Sequence, residues 1–137
     1  METGEKTNPR KPIRSFRDLE VFQNTYNASL EVFTKVICKL PKEEQYDLSD
    51  QLRRSSKAVP RLIAEGYSKK HHVKNFQKYL DDALGETNET IVSLSHVRDL
   101  YSNFVSPEIC EKLITTYDIS ARQIFNLSKC WENFNAR

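Results

Sequence analysis

The chain has 137 residues, the length of one domain, and its three glycines and five prolines are too few for the many turns of an all-β fold. Its formal net charge is only +2, so a charge-driven function has to come from uneven placement rather than from bulk basicity. No apolar run approaches the ~20 residues that span a bilayer, and the polar start of the chain lacks the apolar centre of a secretory signal, so a soluble cytoplasmic protein with no membrane contact is the expectation.

In chain order, residues 1–14 read as a disordered basic tail, with Gly4, Pro9 and Pro12 and little to bury. One domain is expected over residues 15–134. Ser15 with Asp18 three residues on is a variant of the capping box, and it opens a first helix that runs to about Leu40, where Pro41 stops it. Leu19, Phe22, Tyr26, Leu30, Phe33, Ile37 and Leu40 recur at spacings of three and four and mark the inward face. A second helix is expected from about Tyr46 to Glu65. A third runs from about Val73 to Phe104, with a stripe of Val73, Phe76, Leu80, Ala83, Leu84, Thr87, Ile91, Leu94, Val97 and Tyr101. Ser106, Pro107 and Glu108 spell a helix start: a cap, a proline at the first position and an acid in the first turn. The fourth helix then continues to about Asn133, with Cys110, Leu113, Tyr117, Ile124, Leu127, Ser128 and Trp131 facing in. Four long helices joined by short links predict an all-α, up-down-up-down four-helix bundle.

The second helix carries the most distinctive stretch, QLRRSSKAVPRLIAEGYSKK over residues 51–70. Leu52, Ser55, Val59, Leu62 and Ile63 form its apolar face, while Arg53, Lys57 and Arg61 stack four apart along one side. Pro60 cannot donate to the Ser56 carbonyl, so a kink is predicted there. Gly66 reads as the residue that ends the helix in the left-handed conformation. Ala58, Ala64, Ala83 and Gly85 are small enough to allow close helix approach.

These residues resemble the small four-helix-bundle proteins encoded by intervening sequences inside bacterial 23S ribosomal RNA genes. Gln51, Leu52, Arg53, Arg54, Ser55, Ser56, Ala58, Val59, Pro60, Ile63, Ala64, Glu65 and Gly66 match the recurring pattern of that family. Asp18 to Phe22 match near the start, as do Phe76, Leu80, Ala83, Leu84, Gly85 and Glu89 later, so the resemblance covers about residues 15–130. Leu62 stands where the family usually has Asn, and Lys69, Lys70, His71 and His72 replace its usual Ser or Thr cap. The resemblance implies a homo-oligomer, a pentamer in similar proteins. It also extends to accessory factors of diversity-generating retroelements, where a basic bundle engages a reverse transcriptase and its RNA. Because the family pattern keeps both residue types around the proline, Arg54 and Glu65 are the expected structural pair, with Pro60, Glu65 and Gly66 as the kink and cap.

Charge is strongly segregated. Residues 53–78 hold eight basic groups against Glu65 alone, a net of +7, while residues 18–52 and 79–137 each carry a net of −4. Arg53, Arg54, Lys57, Arg61, Lys69, Lys70, Lys74 and Lys78 are therefore the candidate nucleic-acid-binding residues, with Tyr67, His71 and His72 interleaved to stack on bases. The competing reading pairs some of these charges with acids of other helices or of a neighbouring subunit, and both stand at this point.

Enzymatic signals are missing. No Glu-x-x-His pair is present, so Asp82, Glu86 and Glu89 on one face of the third helix read as a solvated or salt-bridged face rather than metal ligands. No nucleophile–base pair is visible either. Cys38, Cys110 and Cys130 lie far apart with no C-x-x-C, which argues against a disulfide framework or zinc site and fits a reducing compartment. A non-enzymatic, oligomeric bundle without cofactor or metal is expected, contacting RNA or an RNA-handling partner. The competing class is a scaffold that binds only protein. The sequence names neither the partner nor the number of subunits.

Overall fold

Local signals set most of the helix boundaries. In the computed structural model, which describes residues 12–135 and side chains as far as residue 131, the helices are α1 (Glu20–Glu31), α2 (Leu48–Tyr67), α3 (Val73–Leu100) and α4 (Pro107–Asn135). There is no strand among the described residues, and residues 1–11 of the expected tail lie outside them. Ser15 forms the predicted capping box, but on a 3₁₀ turn (Phe16–Asp18) that precedes α1, whose own N-cap is Leu19 with no side-chain cap. Ser15 Oγ accepts from the Arg17 amide at 3.1 Å, and Asp18 Oδ2 accepts from the Ser15 and Arg14 amides at 3.1 and 2.8 Å. Pro107 is the first residue of α4, and Ser106 Oγ accepts from the Ile109 amide at 3.5 Å.

Cross-links between neighbours give the topology. Thr90 Oγ1 and Ser55 Oγ share a hydrogen bond at 2.8 Å, and Ser93 Oγ donates to Gln51 Oε1 at 3.4 Å, so residue numbers rise on α3 as they fall on α2. Gln77 Nε2 donates to the Ser128 carbonyl at 3.3 Å and Arg98 Nη1 to Glu111 Oε2 at 2.6 Å, which makes α3 and α4 antiparallel too. α1 closes the bundle between α2 and α4, with Asn24 Nδ2 reaching Gln123 Oε1 at 3.5 Å. This is the up-down-up-down bundle that the four periodic segments predict.

The core is divided. One apolar cluster, built around Val32, Leu52, Leu94, Cys110 and Tyr117, lies toward the α1–α2 connection. The other, built around Val59, Ile63, Phe76, Leu80 and Ile124, lies toward the α2–α3 connection. Between them each helix contributes buried hydroxyls: Thr25, Ser55, Ser56, Thr87, Thr90 and Ser120. Their donors are satisfied: Thr25 donates to the Val21 carbonyl, Ser56 to Leu52, Thr87 to Ala83, Thr90 to Glu86 and Ser120 to Thr116. That satisfaction lets small polar side chains replace Leu-sized ones at the waist without an orphaned hydroxyl.

The stripes of α3 and α4 point inward as the sequence predicts, but α1 is rotated. Its buried residues are Val21, Thr25, Ala28 and Ser29. Tyr26, Leu30 and Phe33, expected in the seam, are 49%, 51% and 45% exposed. The bulk at this level already comes from Tyr117 and Leu52, and the smaller face of α1 fits the space that remains. α1 also stops short of Leu40. A π turn over Val32–Val36 and a 3₁₀ turn over Ile37–Lys39 follow it. The extra residue in the π turn shifts the inward face, so the even stripe read from the sequence cannot hold.

Two glycine readings change as well. Gly66 does not cap α2, which continues through Tyr67 to a right-handed Ser68, and no described glycine has positive φ. It is buried where α3 crosses, and a Cβ there would stand 2.8 Å from Tyr79 Cβ and 3.2 Å from Phe76 Cδ1. Close packing, not turn geometry, accounts for it. Gly85, read as a close-contact position, is exposed, and a Cβ on it would meet nothing within 4 Å. Ala58 and Ala83 are already buried within the bundle. α2 carries one unbroken helical span across the buried Pro60.

One contact at the α1–α2 connection makes a pH prediction. Glu44 accepts from Tyr101 Oη and from the Leu48 amide, and the tyrosine first and the amide second hold its pKa below the ordinary 4.5. A depressed carboxylate adds stability that is present above its unfolded pKa and is lost as pH falls through the lower folded value. Tyr101→Phe is expected to shift acid unfolding, followed by circular dichroism, to higher pH. An unchanged acid midpoint would show that this bond adds nothing to the fold.

Candidate nucleic-acid interface

The eight basic residues of 53–78 fall into two zones. Arg53, Arg54, Lys57 and Arg61 lie along the outer side of α2, where 3.6 residues per turn keeps them on one flank. They border an open groove of about 420 Å³ whose far wall is Glu86 and Glu89 of α3. Arg53 and Arg54 both reach Asp50, at 3.5 and 3.2 Å. Among the described residues Lys57 and Arg61 make no ion pair within 4 Å. Burial first, and the adjacent Glu89 second, push the Glu86 carboxyl above its usual range, while Arg61 and Arg54 pull it back. This row therefore faces acids across the groove.

The expected Arg54–Glu65 pair is not formed. Arg54 is held by Asp50 one turn earlier, and about 16 Å of helix rise separates it from Glu65. Glu65 is exposed, and its backbone carbonyl accepts from Ser68 Oγ at 2.6 Å.

The second zone caps the α2–α3 end. The connection is tightly turned, with the Lys69 amide on the Gly66 carbonyl at 2.8 Å, Lys70 on Tyr67 at 3.1 Å and His72 on Lys69 at 2.8 Å. Lys69, His71, His72 and Lys74 are exposed. The Lys70 carbonyl accepts from Trp131 Nε1 at 2.9 Å, which ties the turn to the end of α4, and Lys70 Nζ lies 4.2 Å from the centre of the Tyr67 ring. Lys78 pairs with Asp82 at 3.5 Å. Tyr67, expected to stack on bases, is buried against Trp131 with ring centres 6.3 Å apart, so of the three interleaved rings only the two histidines stay exposed.

Folding adds residues that the linear reading left out. Phe16 packs on the same cluster as Tyr67 and Trp131, which places Arg17, 4.6 Å over the Phe16 ring, and Arg14 at this end. Lys129 stands at the same end of α4, but two residues of helix turn it away from Trp131, and its Nζ lies 5.5 Å from the centre of the Phe125 ring. These groups are about 50 to 60 residues from the turn, so no local charge window unites them; only the antiparallel topology does. The far end mixes Glu43, Glu44, Asp47, Glu108 and Glu111 with Lys35, Lys39, Lys42 and Lys112, so its charges largely offset one another.

No group of His, Cys, Asp and Glu among the described residues is arranged to hold a metal ion. No helix among them is long and apolar enough to cross a membrane. The arrangement offers charge and hydrogen-bond donors to an anionic partner. A family model described as 23S rRNA-intervening sequence protein matches residues 17–126, from the turn before α1 to the last third of α4. No curated protein matches the chain.

Proposed function

Because the chain belongs to the family of 23S rRNA-intervening sequence proteins, we propose that it acts without catalysis, as a self-associating bundle that contacts RNA phosphates through its α2–α3 end. The observation that carries this reading is that the segments bearing Arg14, Arg17, Lys69, Lys70 and Lys74 end at the same pole of the bundle, around the Phe16, Tyr67 and Trp131 cluster, with His71 and His72 exposed there. Such a surface attracts a phosphate backbone through charge and reads little sequence. The turn is held by hydrogen bonds and by Trp131, so the lysine backbones need little further ordering on binding.

Self-association is supported by α1. Phe22 stacks on Tyr26 at 5.8 Å, and Tyr26, Leu30 and Phe33 continue an apolar strip that the bundle leaves in water. A contiguous strip of this kind marks a contact surface. The assembled form is a homo-oligomer, a pentamer by the resemblance. The same strip favours the second reading, a scaffold that engages a protein such as a reverse transcriptase.

Light scattering with and without a labelled oligouridylate separates these readings. The expected result is a particle several times the 16.0 kDa chain mass that takes up RNA at low salt. Leu30→Glu with Phe33→Glu should dissociate it while leaving helicity intact, since both side chains are exposed. A monomer at micromolar concentration would reject the assembly, and an assembled particle that takes up no RNA would favour the protein-only scaffold.

A further inference from the structure

The arginine row of α2 is the strongest basic feature that the α2–α3 end does not include. Arg54 and Arg61 act on Glu86 across the groove, and Glu89 lies beside Glu86 one helical turn along α3. Each phosphate of a nucleic-acid strand carries one negative charge, and two carboxylates spaced by a turn of helix present the arginines with a similar pair of charges. We propose that the groove is a second, latent phosphate-binding site for an RNA strand, with Glu86 and Glu89 as a built-in stand-in for phosphate that damps it. This inference rests on the RNA reading above.

The geometry gives the damping a direction. Glu86 is half-buried and Glu89 exposed, so the pair sits at the groove wall and neither carboxylate seals it. Arg61 has no ion-pair partner within 4 Å among the described residues and is exposed, so its donors remain accessible to a strand that enters. Asp50, outside the groove, pairs with both Arg53 and Arg54 and so offsets part of their charge, which leaves Arg61 and Lys57 as the groove cations without an ion pair among the described residues. A strand lying there competes with the field of two fixed carboxylates, so the α2–α3 end engages first and the groove adds little until those charges are removed.

The test is Glu86→Gln with Glu89→Gln in the full chain, with binding of labelled oligouridylate measured over a salt series. Gln keeps the size and much of the helix propensity of Glu, so the variant folds, and thermal melting confirms that. Removing two charges at close range is expected to tighten binding about fivefold at low salt and to steepen the salt slope. Adding Arg54→Gln and Arg61→Gln should abolish that gain. If the wild type binds and the double Gln variant binds no better, the groove is not a site and the RNA reading stands. Lys39→Gln with Lys112→Gln removes the same two charges far from the groove and should leave most of the gain. A gain that this distant pair abolishes as fully as the arginine pair is a diffuse charge effect and overturns the proposal, as does a gain that survives loss of both arginines. If neither the wild type nor the double Gln variant binds RNA, both readings fall together.

Discussion

Replacing Lys69, Lys70, Lys74 and Lys78 together with Gln is expected to weaken RNA binding on the order of a hundredfold near 0.1 M salt and to flatten the salt slope by about 3. Each lysine counts as one contact with a single strand, at ~0.7 per contact. The structure predicts unequal shares. Lys78 already pairs with Asp82, so its loss should matter least, while Lys69 and Lys74 are exposed and should matter most. Gln is close to Lys in helix propensity, so helicity should hold. The proper control is Lys35, Lys39, Lys42 and Lys112, which lie toward the opposite end. Lys129 is unsuitable as a control because it lies near the end of α4, at the same pole of the bundle as the turn. Equal salt slopes for the wild type and the first variant would remove the α2–α3 end from the function.

The second large effect concerns the two helical glycines. Gly66→Ala should cost about 2 kcal/mol, because its Cβ would meet Tyr79 Cβ at 2.8 Å, an atom fixed by the α3 backbone that cannot swing aside. Ala is the better helix former by ~1 kcal/mol, so the clash has to exceed that gain before any loss appears. Gly85→Ala meets nothing within 4 Å, so only the propensity remains, and a gain of about 0.5–1 kcal/mol is expected. In a chain of this size each kcal/mol shifts Tm by roughly 3 °C. Melting points that move in the same direction for both variants would show that the α2–α3 contact is looser than the packing at Gly66 implies.

The sequence was a good guide where one face of a helix was plainly apolar and the other plainly charged. α3 and α4 are of that kind: Phe76, Leu80, Leu94, Leu113, Tyr117 and Ile124 are all buried as their spacing predicts. It misled where two faces were both tolerable inside. On α1 the larger stripe of Tyr26, Leu30 and Phe33 outweighed the smaller one of Val21, Thr25 and Ala28 by bulk, yet the smaller one went in. Gly66 was misread because a glycine near a helix end serves equally well as a cap or as a close-packing position. Arg54 and Glu65 were paired on their shared place in a pattern, though three turns of helix lie between them.

By itself, then, the sequence determined the helix count, the long helical spans of α2 to α4, the capping at Ser15 and Ser106, and the concentration of basic charge in residues 53–78. These depend on neighbours within a few residues, through hydrogen bonds, caps and a 3.6-residue period that can be read along the chain. The tertiary structure alone decided which face of α1 is buried, why position 66 must be glycine, and how the basic residues divide. It lined one groove with four of them and with Glu86 and Glu89, and brought the segment bearing Arg14 and Arg17 to the end that holds the turn. The reason is physical: burial and electrostatic compensation depend on what another helix places across the gap, and that partner stands tens of residues away in the chain.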